Sequence, residues 1–133
     1  MARTATCRCG RLQLICQGEP VRVSVCHCLA CQRRTGSAFG VQARFPRERV
    51  AFGEGPVSEY ARTADSGNRV TYRICPDCGS TLWYTLEDAP DLIAVPVGAF
   101  ADPGFPAPWV SVYETRRHPW LAFAEEAGVE HID

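Results

Sequence analysis

The chain has 133 residues, 46% hydrophobic and 22% charged, proportions that are ordinary for a globular protein. Its formal net charge of -1 provides no overall positive field to attract nucleic acid or an anionic membrane surface. No apolar run approaches the roughly 20 residues of a membrane span, and the N-terminus lacks the apolar core of an export signal. We therefore expect one domain over residues 1–133 in the cytoplasm, without nucleic-acid or membrane partners.

The hydrophobic pattern predicts a mainly β fold of short strands with few helices. The clearest strand covers residues 21–25, where apolar and polar side chains alternate. A short helical turn is expected after Cys31, ending at Gly36, and a second short helix over residues 119–125. Further strands are predicted over residues 12–16, 40–45, 50–52, 58–61, 69–74, 81–85, 92–97 and 110–113.

Eight cysteines are many for a chain of this length, and seven of them occur in short motifs. The motifs are C-x-C near the start, C-x-C-x-x-C after the 21–25 strand, and C-x-x-C in the middle of the chain. Disulfides are typical of exported domains, and pairing over such short loops is strained. The spacing therefore favours metal binding.

Cys75-Pro76-Asp77-Cys78-Gly79 has the form of a zinc-binding turn, which needs a second cysteine pair to complete a closed site. Either Cys7 with Cys9, or Cys28 with Cys31, would serve. We favour the first pair because a glycine follows it in the same way, and because its choice leaves no third cysteine stranded. The predicted structural zinc site contains Cys7, Cys9, Cys75 and Cys78.

The remaining motif predicts a second zinc ion on Cys26, Cys28 and Cys31, with a vacant fourth position. An extended segment places Cys26 and Cys28 on one face and turns His27 away, and a turn returns Cys31 to Cys28. The alternative is that a histidine closes the site. His118 is predicted to be solvated at the surface, and His131 is predicted to fray with the terminus.

Cys16 shares a predicted strand face with Leu12 and Leu14, and is therefore predicted to be a buried apolar residue. Three thiolates make zinc a poor activator of water but suit it to holding a further thiol as thiolate. Arg33 and Arg34 are placed to offset the negative charge and to bind the carboxylates of an anionic thiol such as glutathione. The alternative is that both arginines are simply solvated.

These motifs, with C-H-C-x-x-C-x-R-x-x-G over residues 26–36, resemble the glutathione-dependent formaldehyde-activating enzymes and the wider centromere-protein-V/GFA family. The resemblance implies an Mss4-like fold of several small coiled antiparallel sheets stapled by two zinc ions, partitioned as above. It also implies a carbon–sulfur lyase-type activity that condenses glutathione with formaldehyde to S-hydroxymethylglutathione. Cys26, Cys28 and Cys31 would take part in catalysis as ligands of the open zinc.

Two other functions stay open beside the thiol-adduct enzyme. One is a non-catalytic zinc module that binds another protein, and the other is metal storage or a redox role. The oligomeric state is also left open by these motifs.

Overall fold

The computed structural model describes residues 1–133 and confirms the mainly β class, with several sheets and a single α-helix. Four segments of three or four residues form single 3-10 turns. The strands and helix are β1 (Ala2–Thr6), β2 (Gln13–Gln17), β3 (Arg22–Cys26), α1 (Leu29–Thr35), β4 (Gly40–Pro46), β5 (Val50–Phe52), β6 (Ser58–Thr63), β7 (Arg69–Ile74), β8 (Thr81–Leu86), β9 (Ala89–Pro96), β10 (Val110–Val112) and β11 (Glu130–His131).

The strands form a three-stranded sheet in the order β1-β2-β5 and an eight-stranded sheet in the order β11-β10-β3-β4-β9-β8-β7-β6. All pairings are antiparallel except those of β10, which runs parallel to both β3 and β11. The family resemblance had implied antiparallel pairing only. The exception arises because the connection over residues 97–109 carries the chain back along the sheet before β10 begins, and parallel neighbours require such a return.

The two faces of the large sheet have different roles. Successive side chains of a strand point to opposite faces. In β3, Val23 is fully buried in the main core, whereas Arg22 and Cys26 line a cleft on the other face. In β4, Phe45 enters the core and Arg44 faces the cleft.

The main core contains side chains from both sheets, and a smaller cluster lies on the cleft side. A β-bulge divides the two: Arg73 pairs with Trp83 but Ile74 pairs with Thr81, which leaves Leu82 as the extra residue. Leu82 therefore enters the main core, while Tyr84 joins the smaller cluster. The smaller cluster consists of Val70, Tyr72, Tyr84 and Ala94.

The predicted C-terminal helix over residues 119–125 is wrong. Residues 121–124 have no regular structure, and a single 3-10 turn follows at Glu125–Ala127. Phe123 instead packs against the rings of His27 and His131, at centroid distances of 6.1 and 5.8 Å. A helix of two turns is unstable unless a face of it packs, and here the aromatic contacts favour an extended path. No helix of the protein is long and apolar enough to cross a membrane.

Candidate metal centres and the cleft beside them

Four cysteines from distant parts of the chain come together in one cluster. Their Sγ atoms all lie within 4.8 Å of one another, with Cys7 and Cys9 separated by 3.6 Å and Cys9 and Cys75 by 3.7 Å. A tetrahedral zinc ion with Zn–S bonds of about 2.3 Å separates its sulfurs by about 3.8 Å. The cluster of Cys7, Cys9, Cys75 and Cys78 therefore fits a closed four-thiolate site.

Two turns of the same construction present these sulfurs. In each, the N–H of the first cysteine donates to the carbonyl five residues later, at 3.1 and 2.9 Å. The glycine N–H donates back to the first cysteine's carbonyl, at 3.0 and 2.9 Å. Gly10 and Gly79 have φ of +81° and +79°, a left-handed conformation that a Cβ strains. The glycines that follow the two cysteine motifs in the sequence thus build two similar turns.

Polar contacts join the two turns to each other. The backbone N–H of Arg8 donates to Ser80 Oγ at 3.1 Å, and this hydroxyl lies 3.3 Å from Cys78 Sγ. Hydrogen bonds from the Ser80 hydroxyl, and then from backbone N–H groups, lower the pKa of Cys78 to about 5. An ion pair between Arg11 and Asp77 also spans the two turns. These contacts favour the thiolate form that a metal ligand needs.

The second cluster is built where β3 leads into α1. Cys26 is the last residue of β3, Cys28 is the N-cap of α1, and Cys31 lies in its first turn. The Cys31 N–H donates to Cys28 Sγ at 3.3 Å, because the first N–H groups of a helix lack partners within it. The three Sγ atoms lie within 4.8 Å of one another, and each residue is only 6% exposed.

The three sulfurs are close enough to change one another's ionisation. Hydrogen bonds from the Cys26 thiol, and then from the Cys31 thiol, lower the pKa of Cys28 to about 2. The neighbouring sulfur of Cys28 in turn raises the pKa of Cys26. Three buried sulfurs this close carry their negative charges together only beside a compensating cation, and a soft divalent metal such as zinc suits them.

No histidine, carboxylate or fourth cysteine joins the trio. His27 turns away, as predicted, and its Nε2 lies 3.1 Å from Glu114 Oε2. His118 is half-buried, with Nε2 3.0 Å from Gln32 Oε1, and is thus less solvated than predicted. The prediction that His131 frays is wrong, because it lies in β11 and pairs with Glu114.

A cleft of about 560 Å³ opens above the trio, within the range of small-molecule sites. The three cysteines that would hold a metal lie in its lining. Five arginines share the lining, namely Arg22, Arg33, Arg44, Arg62 and Arg116.

The sequence matches a family model described as glutathione-dependent formaldehyde-activating enzyme over residues 2–116, a range that includes all eight cysteines. The chain belongs to this family.

Comparison with solved structures shows that the fold itself occurs elsewhere. The crystal structure of a Rhodobacter sphaeroides protein matches with a TM-score of 0.58 and 15% sequence identity, covering 98% of this chain and 99% of the other. No curated protein matches the sequence.

In this member of the glutathione-dependent formaldehyde-activating enzyme family, two arginines act electrostatically on the trio. Arg34, singled out from the sequence, lies over the rings of Tyr72 and Tyr84 at 5.5 and 5.6 Å. Arg62, which the sequence did not suggest, donates to the Tyr72 hydroxyl at 3.0 Å and contributes to the lowered pKa of Cys28. Arg33 is exposed and lines the cleft.

Cys16 lies outside both clusters, in agreement with the prediction for it. It is fully buried in the main core, where desolvation raises the pKa of its thiol to about 11. Such a thiol is inert at neutral pH and packs as a small apolar side chain.

Proposed function

We propose that this protein is a zinc-dependent enzyme that adds the thiol of glutathione, or of a related compound, to a small aldehyde such as formaldehyde. One carbon–sulfur bond forms, and the thiol proton is transferred to the aldehyde oxygen. With glutathione and formaldehyde the product is S-hydroxymethylglutathione, so the reaction is that of a carbon–sulfur lyase run in reverse. The observation that carries this proposal is a buried three-cysteine cluster, without a fourth ligand, in the wall of a cleft.

Cys26, Cys28 and Cys31 are the residues that would hold the catalytic zinc. When bound there, zinc lowers the pKa of an incoming thiol, so that a nucleophilic sulfur is available at neutral pH. The rigid junction of β3 and α1 holds the three cysteine sulfurs in place, and their burial limits the access of water. Arg34 and Arg62 offset the negative charge that accumulates on four thiolates.

The closed cluster of Cys7, Cys9, Cys75 and Cys78 is proposed to hold a structural zinc, since four thiolates leave no open position. We further propose that residues 1–133 act as one domain in the cytoplasm. All eight cysteines are free thiols, which suits a reducing compartment. The position of the trio in a cleft supports an enzyme more strongly than a protein-interaction module, which would use an exposed face.

The proposal is tested by loading the protein with zinc and measuring the exchange between formaldehyde and its glutathione adduct by NMR. We expect wild-type protein to accelerate the exchange and Cys28→Ser to abolish the acceleration. In cobalt-substituted protein, glutathione should change the sulfur-to-cobalt absorption as a fourth thiolate binds. Cys16→Ala is the matched control, because it removes a thiol that belongs to neither cluster. An uncatalysed rate and an unchanged spectrum with both sites loaded would contradict the proposal.

A further inference from the structure

Two arginines stand opposite each other on the cleft face of the large sheet. Arg22 of β3 and Arg44 of β4 are directly paired in the antiparallel register. Like charges in this position are destabilising unless something neutralises them. Burial, and then the positive charge of Arg44, lower the pKa of Arg22, which indicates that the two guanidinium groups act on each other.

No carboxylate of the protein forms an ion pair with either arginine. Arg22 and Arg44 take part in none of the seven ion pairs of the structure, and the Nε atom of each is buried without a hydrogen-bond partner. The aspartates of the cleft lining are engaged elsewhere: Asp65 with Arg116, Asp88 with Asn68, and Asp133 with the backbone of Thr115. The arginine pair is therefore a half-buried cationic site open to an external anion.

An unsatisfied acceptor lies beside the pair. Gln42 precedes Arg44 on the same face of β4, and its Nε2 donates to Ser24 Oγ at 2.8 Å. Its Oε1 is buried without a partner, although it faces the same cleft. A peptide or amino-acid carboxylate carries an N–H group nearby, which can donate to this oxygen. The donors and acceptor together thus match a carboxylate accompanied by N–H.

The pair is too far from the trio to serve mainly as its counter-charge. Arg22 lies four positions before Cys26 in β3, which corresponds to about 13 Å between their Cα atoms. Arg34 and Arg62 are the arginines whose charges act on Cys31 and Cys28. A free cysteine, whose carboxylate is only three bonds from the sulfur, would not reach both sites, but a small peptide would.

We propose that Arg22 and Arg44, with Gln42, form a carboxylate-binding subsite that selects a peptide thiol over smaller or neutral thiols. The position of the substrate sulfur at Cys26, Cys28 and Cys31 rests on the proposed function. The subsite itself rests only on the contacts of β3 and β4.

The test uses the zinc-loaded full chain and calorimetry with four probes: glutathione, S-methylglutathione, glutathione diethyl ester and 2-mercaptoethanol. Arg22→Gln and Arg44→Gln should each weaken the binding of glutathione and S-methylglutathione about tenfold or more, since a charged hydrogen bond is lost. The binding of 2-mercaptoethanol and of glutathione diethyl ester, which lack a carboxylate, should stay unchanged. Both variants are expected to fold, because each relieves a repulsion. Arg69→Gln is the control, an equal charge change at an exposed position outside the cleft.

Two results would overturn the subsite: wild-type protein that fails to bind S-methylglutathione, or arginine variants that bind glutathione as the wild type does. Because S-methylglutathione has no thiol, its binding does not require the metal. If it binds through Arg22 and Arg44 while glutathione leaves the cobalt spectrum unchanged, the subsite stands and the thiol-ligation step of the proposed function fails. If glutathione changes the cobalt spectrum but the arginine variants bind glutathione as the wild type does, the thiol-ligation step stands and the subsite fails.

Discussion

Single glycines set the geometry of the closed metal cluster. The φ values of Gly10 and Gly79 are left-handed, and a Cβ added at either position would meet no atom within 4 Å. Any loss of stability on replacing either glycine by alanine therefore comes from backbone strain and not from a steric clash. At Gly98 a Cβ would also meet no atom, but there φ is not in the left-handed region. Gly98 thus isolates the effect of backbone conformation.

We expect Gly79→Ala to lower the free energy of unfolding by about 1 kcal/mol, because an L-residue is strained at positive φ. Gly98→Ala should change it by less than about 0.5 kcal/mol. Urea unfolding of the zinc-loaded proteins measures both. Equal effects of the two substitutions would mean that the turn does not depend on the left-handed residue.

Side chains from three parts of the chain meet at the Glu114 carboxylate. Glu114 Oε2 accepts from Ser111 Oγ at 2.7 Å and lies 3.1 Å from His27 Nε2, while Oε1 pairs with His131 and lies 3.5 Å from Arg117 Nε. Burial opposes its ionisation, but the hydrogen bonds from Ser111 and His131 and the nearby positive charges hold the pKa of Glu114 below its usual range. The carboxylate thereby connects the end of β3 with β10 and β11.

A carboxyl group whose pKa is lowered by folding stabilises the protein above its unfolded pKa, here about 4.5, and loses that contribution as pH falls below it. Glu114→Gln should therefore destabilise the protein most near neutral pH. The difference from wild type should shrink as pH is lowered from about 6.5 to about 4. Urea unfolding at the two pH values measures this. Glu130→Gln, at an exposed residue of β11 without an ion pair, should give no such trend.

We expect the two cysteine clusters to stabilise the protein to different extents. The closed cluster joins Cys9 to Cys75, which are 66 residues apart. Cys7 and Cys75, the first cysteine of each motif, are buried in the main core. The trio spans six consecutive residues and closes no long loop. A metal that closes a long loop removes more entropy from the unfolded chain, so we expect the fold to depend mainly on the closed cluster.

Cys28→Ser should reduce the zinc content from two ions to one while near-ultraviolet circular dichroism stays that of a folded protein. Cys78→Ser should abolish the folded spectrum, because metal binding at the closed cluster contributes directly to the free energy of folding. Zinc analysis and circular dichroism of the two purified variants test the division of roles. A folded Cys78→Ser protein, or an unfolded Cys28→Ser protein, would contradict it.

The amino-acid order alone was enough to divide seven cysteines into a group of four and a group of three. Ligands within one turn are positioned by local backbone geometry, which residue spacing and the trailing Gly10 and Gly79 already specify. Most strands followed from local alternation for the same reason. The parallel pairing of β10 did not, because it depends on how far a connection carries the chain back across the sheet.

The cleft could not be derived from the sequence. Arg22 and Arg44 meet only because β3 and β4 pair in one register, and a shift of one residue would turn each strand's side chains to the other face. Arg62 of β6 acts electrostatically on Cys28, although it lies 31 positions after Cys31 in the chain. Metal ligands grouped in short motifs are thus readable from the chain, whereas the charges that select a ligand come from pairings between distant strands.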